Sequence, residues 1–307
     1  MVKNIRVKIL IPVFEDFQCL PTLFKRIDDS LRNICNYEIL IIDDGSFKNI
    51  DDKGFLIERD KTNILTLSQN VGHQRSIAIG LCHLSEENNF DYVLIMDGDG
   101  EDNPLDARKL INNAEILSEE CVIFARRDVR SEPLFFKIGY LFYRILFRLC
   151  TGKSIKFGNF SLVPSRMLKR LTGIPELWNH YASGVLLSNL PVHEVSTIRS
   201  GRIAGRPKMK VESLILHGIS SITTFINIFA LRISLSLSLL LGVSLILNLS
   251  SNLYNLQIPV FFYGTELICV LSIMSFQAYL FLMAAVSKRT NYPCIPSSFW
   301  KNFINKK

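Results

Sequence analysis

Short apolar runs alternate with charged loops along this chain up to about Lys210, after which charge is scarce until Lys288. Val7-Lys8-Ile9-Leu10-Ile11-Pro12-Val13, Ile39-Leu40-Ile41-Ile42 and Tyr92-Val93-Leu94-Ile95-Met96 are nearly continuous apolar stretches of strand length, the pattern of strands buried on both faces. Strands are therefore expected at 5–13, 37–42, 64–67, 91–96 and 122–125. Between them, Leu20, Leu23, Phe24, Ile27 and Leu31 recur at helical spacing and predict a helix over 18–33. A second helix is expected after Asn70-Val71-Gly72-His73-Gln74-Arg75 to about 84, and a third from Asn103-Pro104 to about 117. Strand–helix alternation at this pace predicts an α/β domain with a mostly parallel sheet. There are no internal repeats.

The second half has a different texture. Residues 134–150 read as an aromatic-rich helix whose Lys137, Arg144 and Arg148 share one stripe, which suits a lipid interface ahead of the competing reading, a core helix with one solvated face. The pattern divides the chain into an α/β domain at 1–212, an interfacial amphipathic helix at 213–230, transmembrane helices at 231–250 and 259–287, and a basic tail at 288–307. Each apolar segment approaches or exceeds the roughly 20 residues that cross a hydrocarbon core. Arg199, Arg202, Arg206, Lys208 and Lys210 precede this hairpin, Lys288, Arg289, Lys301, Lys306 and Lys307 follow it, and the link Ser250-Ser251-Asn252 has no cation. That contrast places the α/β domain and the C-terminus in the cytoplasm of a two-span cell-membrane protein. Glu266 and Gln277 fall within the second span, Glu266 near its outer edge and Gln277 where it can bond across the hairpin.

Composition agrees with this division. The 307 residues are 48% hydrophobic and carry 35 Lys and Arg against 28 Asp and Glu, a net charge of +7. With the apolar C-terminal third, that excess reads as a membrane-facing surface and not as a nucleic-acid footprint. Seven dispersed cysteines argue for reduced thiols, not a disulfide framework or a zinc site. Met1-Val2-Lys3-Asn4 runs straight into a strand, so no signal peptide is expected.

The candidate chemistry lies where strands end in acid: Pro12 after the first, Asp43-Asp44-Gly45-Ser46 after the second, Asp97-Gly98-Asp99 after the fourth. In a parallel sheet these ends line one edge, where ligands bind. Asp97 and Asp99, one residue apart, can share a hard divalent cation, and Mg²⁺ or Mn²⁺ then completes its shell with phosphate oxygens. The competing reading is turn chemistry, for which Asp-x-Asp is also suited.

Several ordered motifs sharpen this picture: Ile11-Pro12-Val13-Phe14-Glu15-Asp16, Ile42-Asp43-Asp44-Gly45-Ser46, Asn70-Val71-Gly72, Met96-Asp97-Gly98-Asp99-Gly100-Glu101-Asp102-Asn103-Pro104, Gly158-Asn159-Phe160, and Arg199-Ser200-Gly201-Arg202 with Gly205-Arg206-Pro207-Lys208. Over nearly its whole length the chain resembles the family 2 glycosyltransferases of GT-A fold, in the polyprenyl-phosphate, dolichyl-phosphate mannose synthase-like branch with two C-terminal membrane helices. The resemblance implies a GT-A nucleotide-diphospho-sugar transferase fold, Rossmann-like and mostly parallel. It implies transfer, with inversion, from a nucleoside-diphosphate sugar to polyprenyl phosphate at the cytoplasmic face, and is compatible with a homo-oligomer. Asp97, Asp99 and Glu101 would hold Mg²⁺ or Mn²⁺. Pro12, Val13, Glu15, Asp43, Asp44 and Asp97 would line the nucleotide-sugar pocket, while Arg126, Asn159, Arg202 and Lys208 would face the acceptor. Asp97, Asp99, Arg126 and Arg202 would be catalytic. Asp102 joins them as the base if the acceptor is instead a hydroxyl of a lipid-linked glycan. A non-catalytic membrane scaffold of the same fold is the third reading. Local roles compete: Glu15 as a helix cap, Asp43 and Asp44 as a turn, Arg202 as a juxtamembrane anchor. The chain departs from the family pattern at Glu101, where Gln is common, at Asn159-Phe160-Ser161 in place of Asp-Phe-Arg, and at Pro207 in place of Ser.

Overall fold

The computed structural model describes residues 5–47, 61–117, 120–129, 134–198, 200–205, 211–253, 267–280 and 298–305. The elements run β1 (Arg6–Val13), α1 (Leu20–Leu31), β2 (Asn36–Asp43), β3 (Thr62–Thr66), α2 (His73–Leu84), β4 (Tyr92–Ile95), α3 (Pro104–Ile116), β5 (Val122–Val129), α4 (Leu134–Thr151), β6 (Phe157–Pro164), α5 (Leu168–Thr172), α6 (Tyr181–Leu187), β7 (Val192–Ile198), α7 (Val211–Thr223) and α8 (Ile226–Leu253). The seven strands form one sheet in the order β3-β2-β1-β4-β6-β5-β7. All pairings are parallel except those of β6, which is antiparallel to both β4 and β5.

Period-two alternation explains why the strands read as unbroken apolar runs. Ile9, Ile11, Ile39, Ile41 and Leu94 point to one face, against Leu23 and Ile27 of α1 and Leu110 and Ile111 of α3. Leu10, Leu40, Ile42, Val93 and Ile95 point to the other, against Ile77 and Leu81 of α2 and Val185 of α6. Both faces are dry, and each such side chain contributes about 2 kcal/mol by leaving water. Lys8, the buried charge of β1, lies between Glu38 at 2.7 Å and Glu87 at 2.9 Å.

The five expected strands are present, and two more complete the sheet. β6 and β7 escape the apolar-run criterion because Phe157-Gly158-Asn159 and Val192-His193-Glu194 mix polar residues into their starts. The expected single interfacial helix over 213–230 is two pieces: α7 ends at Thr223 and α8 begins at Ile226. Asn179 Nδ2 donates to the Ser220 carbonyl at 3.0 Å just before the break, and Phe225 is buried there, edge-on to Phe147 at 5.7 Å. Among the described residues no single helix is long and apolar enough to cross a membrane. Leu216–Thr223 and Ile226–Leu240 pass that test only together, bent by 85°, and Leu267–Leu280 is a shorter apolar helix. Glu266, in the expected second span, lies outside the described residues.

Part of the expected basic tail is docked. Trp300 is buried, stands edge-on to His83 at 5.1 Å, and donates to Glu86 at 3.3 Å. Ile304 bridges Leu67 antiparallel, with Ser68 N–H to the Phe303 carbonyl at 2.7 Å and Asn305 N–H to the Thr66 carbonyl at 3.0 Å. Residues 303–305 therefore pair with the chain at Thr66–Ser68, where β3 ends.

Candidate active site

Parallel pairing brings the C-terminal ends of β1, β2, β3 and β4 to one edge, with Val13 level with Asp43 and Asp43 level with Thr66. Met96 N–H still pairs with the Leu10 carbonyl at 3.1 Å, so Asp97 leaves the sheet beside Ile11-Pro12. Gly98 lies against that strand, where a Cβ would meet Val13 Cγ2 at 3.1 Å. The acidic loop is shaped by its own side chains. Asp102 is buried and accepts the Asp97 N–H at 2.9 Å, while Asp99 accepts the Glu101 N–H at 3.0 Å.

A second loop closes over the first. Ser200 N–H donates to the Glu101 carbonyl and Ile203 N–H to the Asp99 carbonyl, each at 3.0 Å. Ile203 packs on Gly100, which has a φ of +80° and would place a Cβ 2.3 Å from that side chain. Only glycine meets both conditions. Arg202 then reaches the Asp99 carboxylate at 3.0 Å, pairs with Asp16, and donates to the Ala204 carbonyl at 2.8 Å. Its guanidinium is mostly sequestered and set against two acids.

On the β2 side, Asp43 and Asp44 are both buried. Asp44 grips the loop before α2, accepting Val71 N–H at 2.8 Å and Gly72 N–H at 3.0 Å. Asp43 accepts Ser46 N–H at 3.1 Å. Burial pushes both carboxyls above the ordinary carboxylate value, against the pull of these bonds. Gly45 turns the chain just after them at a φ of +69°, its absent Cβ leaving room for the Gln69–Asn70 backbone. Glu15 sits at a φ of +52°; its N–H meets Ser46 Oγ at 3.0 Å and its carboxylate accepts Phe47 N–H at 2.6 Å. It laces the β1 and β2 ends together and caps no helix. A left-handed non-glycine at such an edge is a strained position of the kind found at ligand clamps.

His73, the first residue of α2, is the site group that the sequence reading passed over. Its Nε2 lies 3.2 Å from Asp97 Oδ1 and 3.0 Å from Asn159 Nδ2. Gln74 Nε2 donates to Asn159 Oδ1 at 3.3 Å and its Oε1 accepts the Tyr181 N–H at 2.7 Å, which locks the group in place. Loss of hydration lowers the imidazole pKa, but Asp97, ahead of Asp102 and Asp44, leaves it raised overall. His73 directly follows the Asn70-Val71-Gly72 motif, but its partner Asp97 is revealed only by the fold.

Arg126 donates to Glu194 at 3.2 Å and Ser196 at 3.0 Å on β7. Lys208, Arg199 and Pro207 lie outside the described residues. The structure thus gathers Pro12, Val13, Glu15, Asp16, Asp43, Asp44, Asp97, Asp99, Glu101, Asp102, Asn159 and Arg202 at one edge, with His73 added. Among the described residues no group of three or more His, Cys, Asp or Glu side chains closes on a common metal position. Asp97 and Asp99 do offer hard oxygens, each facing a cationic or protonatable group, which is the donor set for a divalent ion shared with phosphates and not for a protein cage.

Residues 8–172 match the family described as Glycosyl transferase family 2. Among curated relatives, an uncharacterized glycosyltransferase of Bacillus subtilis, YkcC, is 25% identical over 73% of this chain and 70% of its own length. The undecaprenyl-phosphate 4-deoxy-4-formamido-L-arabinose transferase of Erwinia tasmaniensis is 27% identical over 68% of this chain and 65% of that protein, and the chain spans 45% of its namesake from Klebsiella pneumoniae. In fold, the chain is similar to glucosyl-3-phosphoglycerate synthase from Mycobacterium tuberculosis, solved with Mn²⁺, UDP and glucosyl-3-phosphoglycerate. The TM-score is 0.54 at 13% identity, covering 73% of this chain and 79% of that one. The same enzyme with Mg²⁺ and UDP gives 0.53 at 12%. The architecture is GT-A-like.

Proposed function

We propose, from the premise that the chain belongs to glycosyl transferase family 2, that it moves one sugar from a nucleoside-diphosphate sugar to polyprenyl phosphate at a membrane surface. The observation that carries this reading is the Asp97-Gly98-Asp99 acid pair just past β4, with Arg202, from the loop that closes over it, bound to Asp99. The names of the undecaprenyl-phosphate transferases among its relatives support the acceptor class.

In this reading the bond between the sugar's anomeric carbon and the diphosphate breaks as a phosphate oxygen of the acceptor attacks from the opposite face. The electron pair leaves with the nucleoside diphosphate. A phosphate monoester has its second pKa near ~6, so the nucleophile needs no dedicated base at neutral pH. Asp97 and Asp99 would hold Mg²⁺ or Mn²⁺, which when bound neutralises charge building on the leaving diphosphate. Arg202, already desolvated and forked, would exchange an acidic partner for diphosphate oxygens. Pro12, Val13 and Glu15 would form the wall against the base and ribose. Asp43 and Asp44 would act beneath that wall by fixing the 45–47 and 70–72 turns.

Transfer to a glycan hydroxyl needs a base within reach of substrate. Asp102 is buried under the loop and holds the Asp97 amide, so it serves the loop's shape. His73, open on one side and beside Asp97, is the group that would favour this second reading.

Membranes containing the protein, incubated with labelled nucleotide sugars and undecaprenyl or dolichyl phosphate, separate the two. A lipid product labile to mild acid is expected. An acid-stable glycan product would overturn the phosphate acceptor, and no transfer from any nucleotide sugar would overturn both.

A further inference from the structure

Away from the strand edge, α4 and α8 meet at a cleft of about 440 Å³ lined by Ile145, Arg148, Leu149, Gly152 and Arg232. Its construction is specific. Arg232 Nη1 donates to the Leu149 carbonyl at 3.2 Å, in the last turn of α4. Gly152 turns the chain away at a φ of +72°, and a Cβ there would lie 2.3 Å from Arg232 Nη2. The backbone is thus moulded around that guanidinium. Arg148 forms a second cationic wall. No acid lines the cleft, and among the described residues no carboxylate pairs with Arg148 or Arg232.

The surroundings are apolar and open. On α4, Leu141, Phe142, Ile145 and Leu149 are exposed, and on α8 so are Leu231, Leu235 and Leu239. Phe142, Ile145 and Leu149 recur at intervals of three and four, with Leu141 one turn before Ile145, so the α4 set forms one helical face. Two guanidinium groups, weakly hydrated and suited to paired bonds with phosphate, therefore sit at the polar rim of a large exposed apolar surface. Free phosphate would use the cations and leave the surface in water. An amphiphile with a phosphate head and acyl chains satisfies both.

We propose that this cleft binds the phosphate headgroup of an anionic bilayer phospholipid, with Arg148 and Arg232 as its cationic walls and the exposed α4 and α8 faces against the acyl chains. The inference rests on the membrane location read under Proposed function. The site is separate from the Asp97–Arg202 centre and takes a structural lipid in place of the acceptor.

The full chain would be reconstituted in phosphatidylcholine vesicles doped with headgroup-proximal labelled phosphatidylglycerol. Protein-associated label would be compared with R148Q and with R148Q/R232Q. The single variant keeps the Arg232 bond to Leu149, so it tests the anion site without disturbing the helix junction. Wild type should retain the label, and the double variant should hold it about tenfold more weakly, or ~1.4 kcal/mol, while still floating with the vesicles. Equal retention by wild type and both variants overturns the proposal. Full displacement by inorganic phosphate also overturns it, as an adventitious anion subsite, and stoichiometric displacement by undecaprenyl phosphate reassigns the cleft to the acceptor. A wild-type chain that does not float with vesicles overturns the membrane reading itself, whereas one that floats without selecting the anionic lipid overturns only this site.

Discussion

Asp99 holds three things at once: its backbone carbonyl takes Ile203 N–H, one carboxylate oxygen takes Glu101 N–H, and the other takes Arg202. Asp99→Asn keeps the shape and one acceptor oxygen but removes the charge that a cation and Arg202 require. Transfer should fall by about 10²-fold, or ~2.7 kcal/mol, with the melting temperature nearly unchanged. Near-normal turnover, or full activity of the wild type in excess chelator, would count against the cation role. At this scale the acids were legible, because an Asp-x-Asp just past an apolar strand can be placed at its C-terminal end without coordinates. Their partners were not. The resemblance gives Arg202 a catalytic, acceptor-facing role, and Asp16 stands only as part of the first motif. That the two meet over Asp99 depends on a loop returning from far along the chain, which no local spacing encodes. His73 was invisible for the same reason.

Among the elements, the short segment 298–305 bears on the turns after β2 and β3 more than its length suggests. It pairs with Thr66, Leu67 and Ser68, immediately before the Gln69–Asn70 backbone that packs on Gly45 and the Val71–Gly72 amides held by Asp44. Trp300→Ala empties a buried site at a cost of about 3 kcal/mol or more. The amides of Ser68 and Asn305 should lose protection in hydrogen exchange, and apparent nucleotide affinity should fall with them. Unchanged protection at Ser68 would show that the segment docks without supporting the turn. Charge marks 288–307 as a tail, since Lys288, Arg289, Lys301, Lys306 and Lys307 punctuate it with no acid among them. Its Phe299, Trp300 and Phe303 are the residues that pack, Trp178 lying 5.7 Å from Phe299 and 6.1 Å from Phe303. The core strands, by contrast, were plain in the sequence because burial on both faces leaves no polar position to blur them. β6, though interior, and β7, at the sheet's edge, carry Asn159 and Glu194, polar side chains that the site and Arg126 use and that break the apolar run.

For the molecule as a whole, one buried group sets an acid limit. His180 caps α6, its Nδ1 accepting Ser183 N–H at 3.2 Å, with the ring 4.7 Å from that of His217. Burial, reinforced by His217, pushes its pKa down to about 3. Between that value and its ordinary ~6.5, the unfolded chain binds a proton that the native one refuses. The stability is complete above about 6.5 and drains away as pH falls toward 3. Asp43 and Asp44, raised by burial, act with the opposite sign above the ordinary carboxylate value, near ~3.9. The comparison with His180→Gln isolates the histidine. Wild type should lose about 1.4 kcal/mol through this group between pH 7.5 and 5.5, and the variant should lack that component; parallel pH profiles in denaturant would refute it. The α/β layer and the apolar C-terminal third were both evident from hydropathy alone, whereas the bend at 224–225 was not, because Thr-Phe is no breaker by propensity and the turn is set by the packing of Phe225.

The bridge between Leu67 and Ile304 has a consequence of parity. It fastens the chain after the apolar helices to the same rigid sheet from which the chain set out. The excursion between them is a closed circuit with both ends tied to one body. A bilayer can be threaded by such a circuit only in matched outward and inward passages, so any count of crossings is even. The pairing of Asn305 with Thr66 therefore puts residue 305 on the same side of any bilayer as the sheet itself.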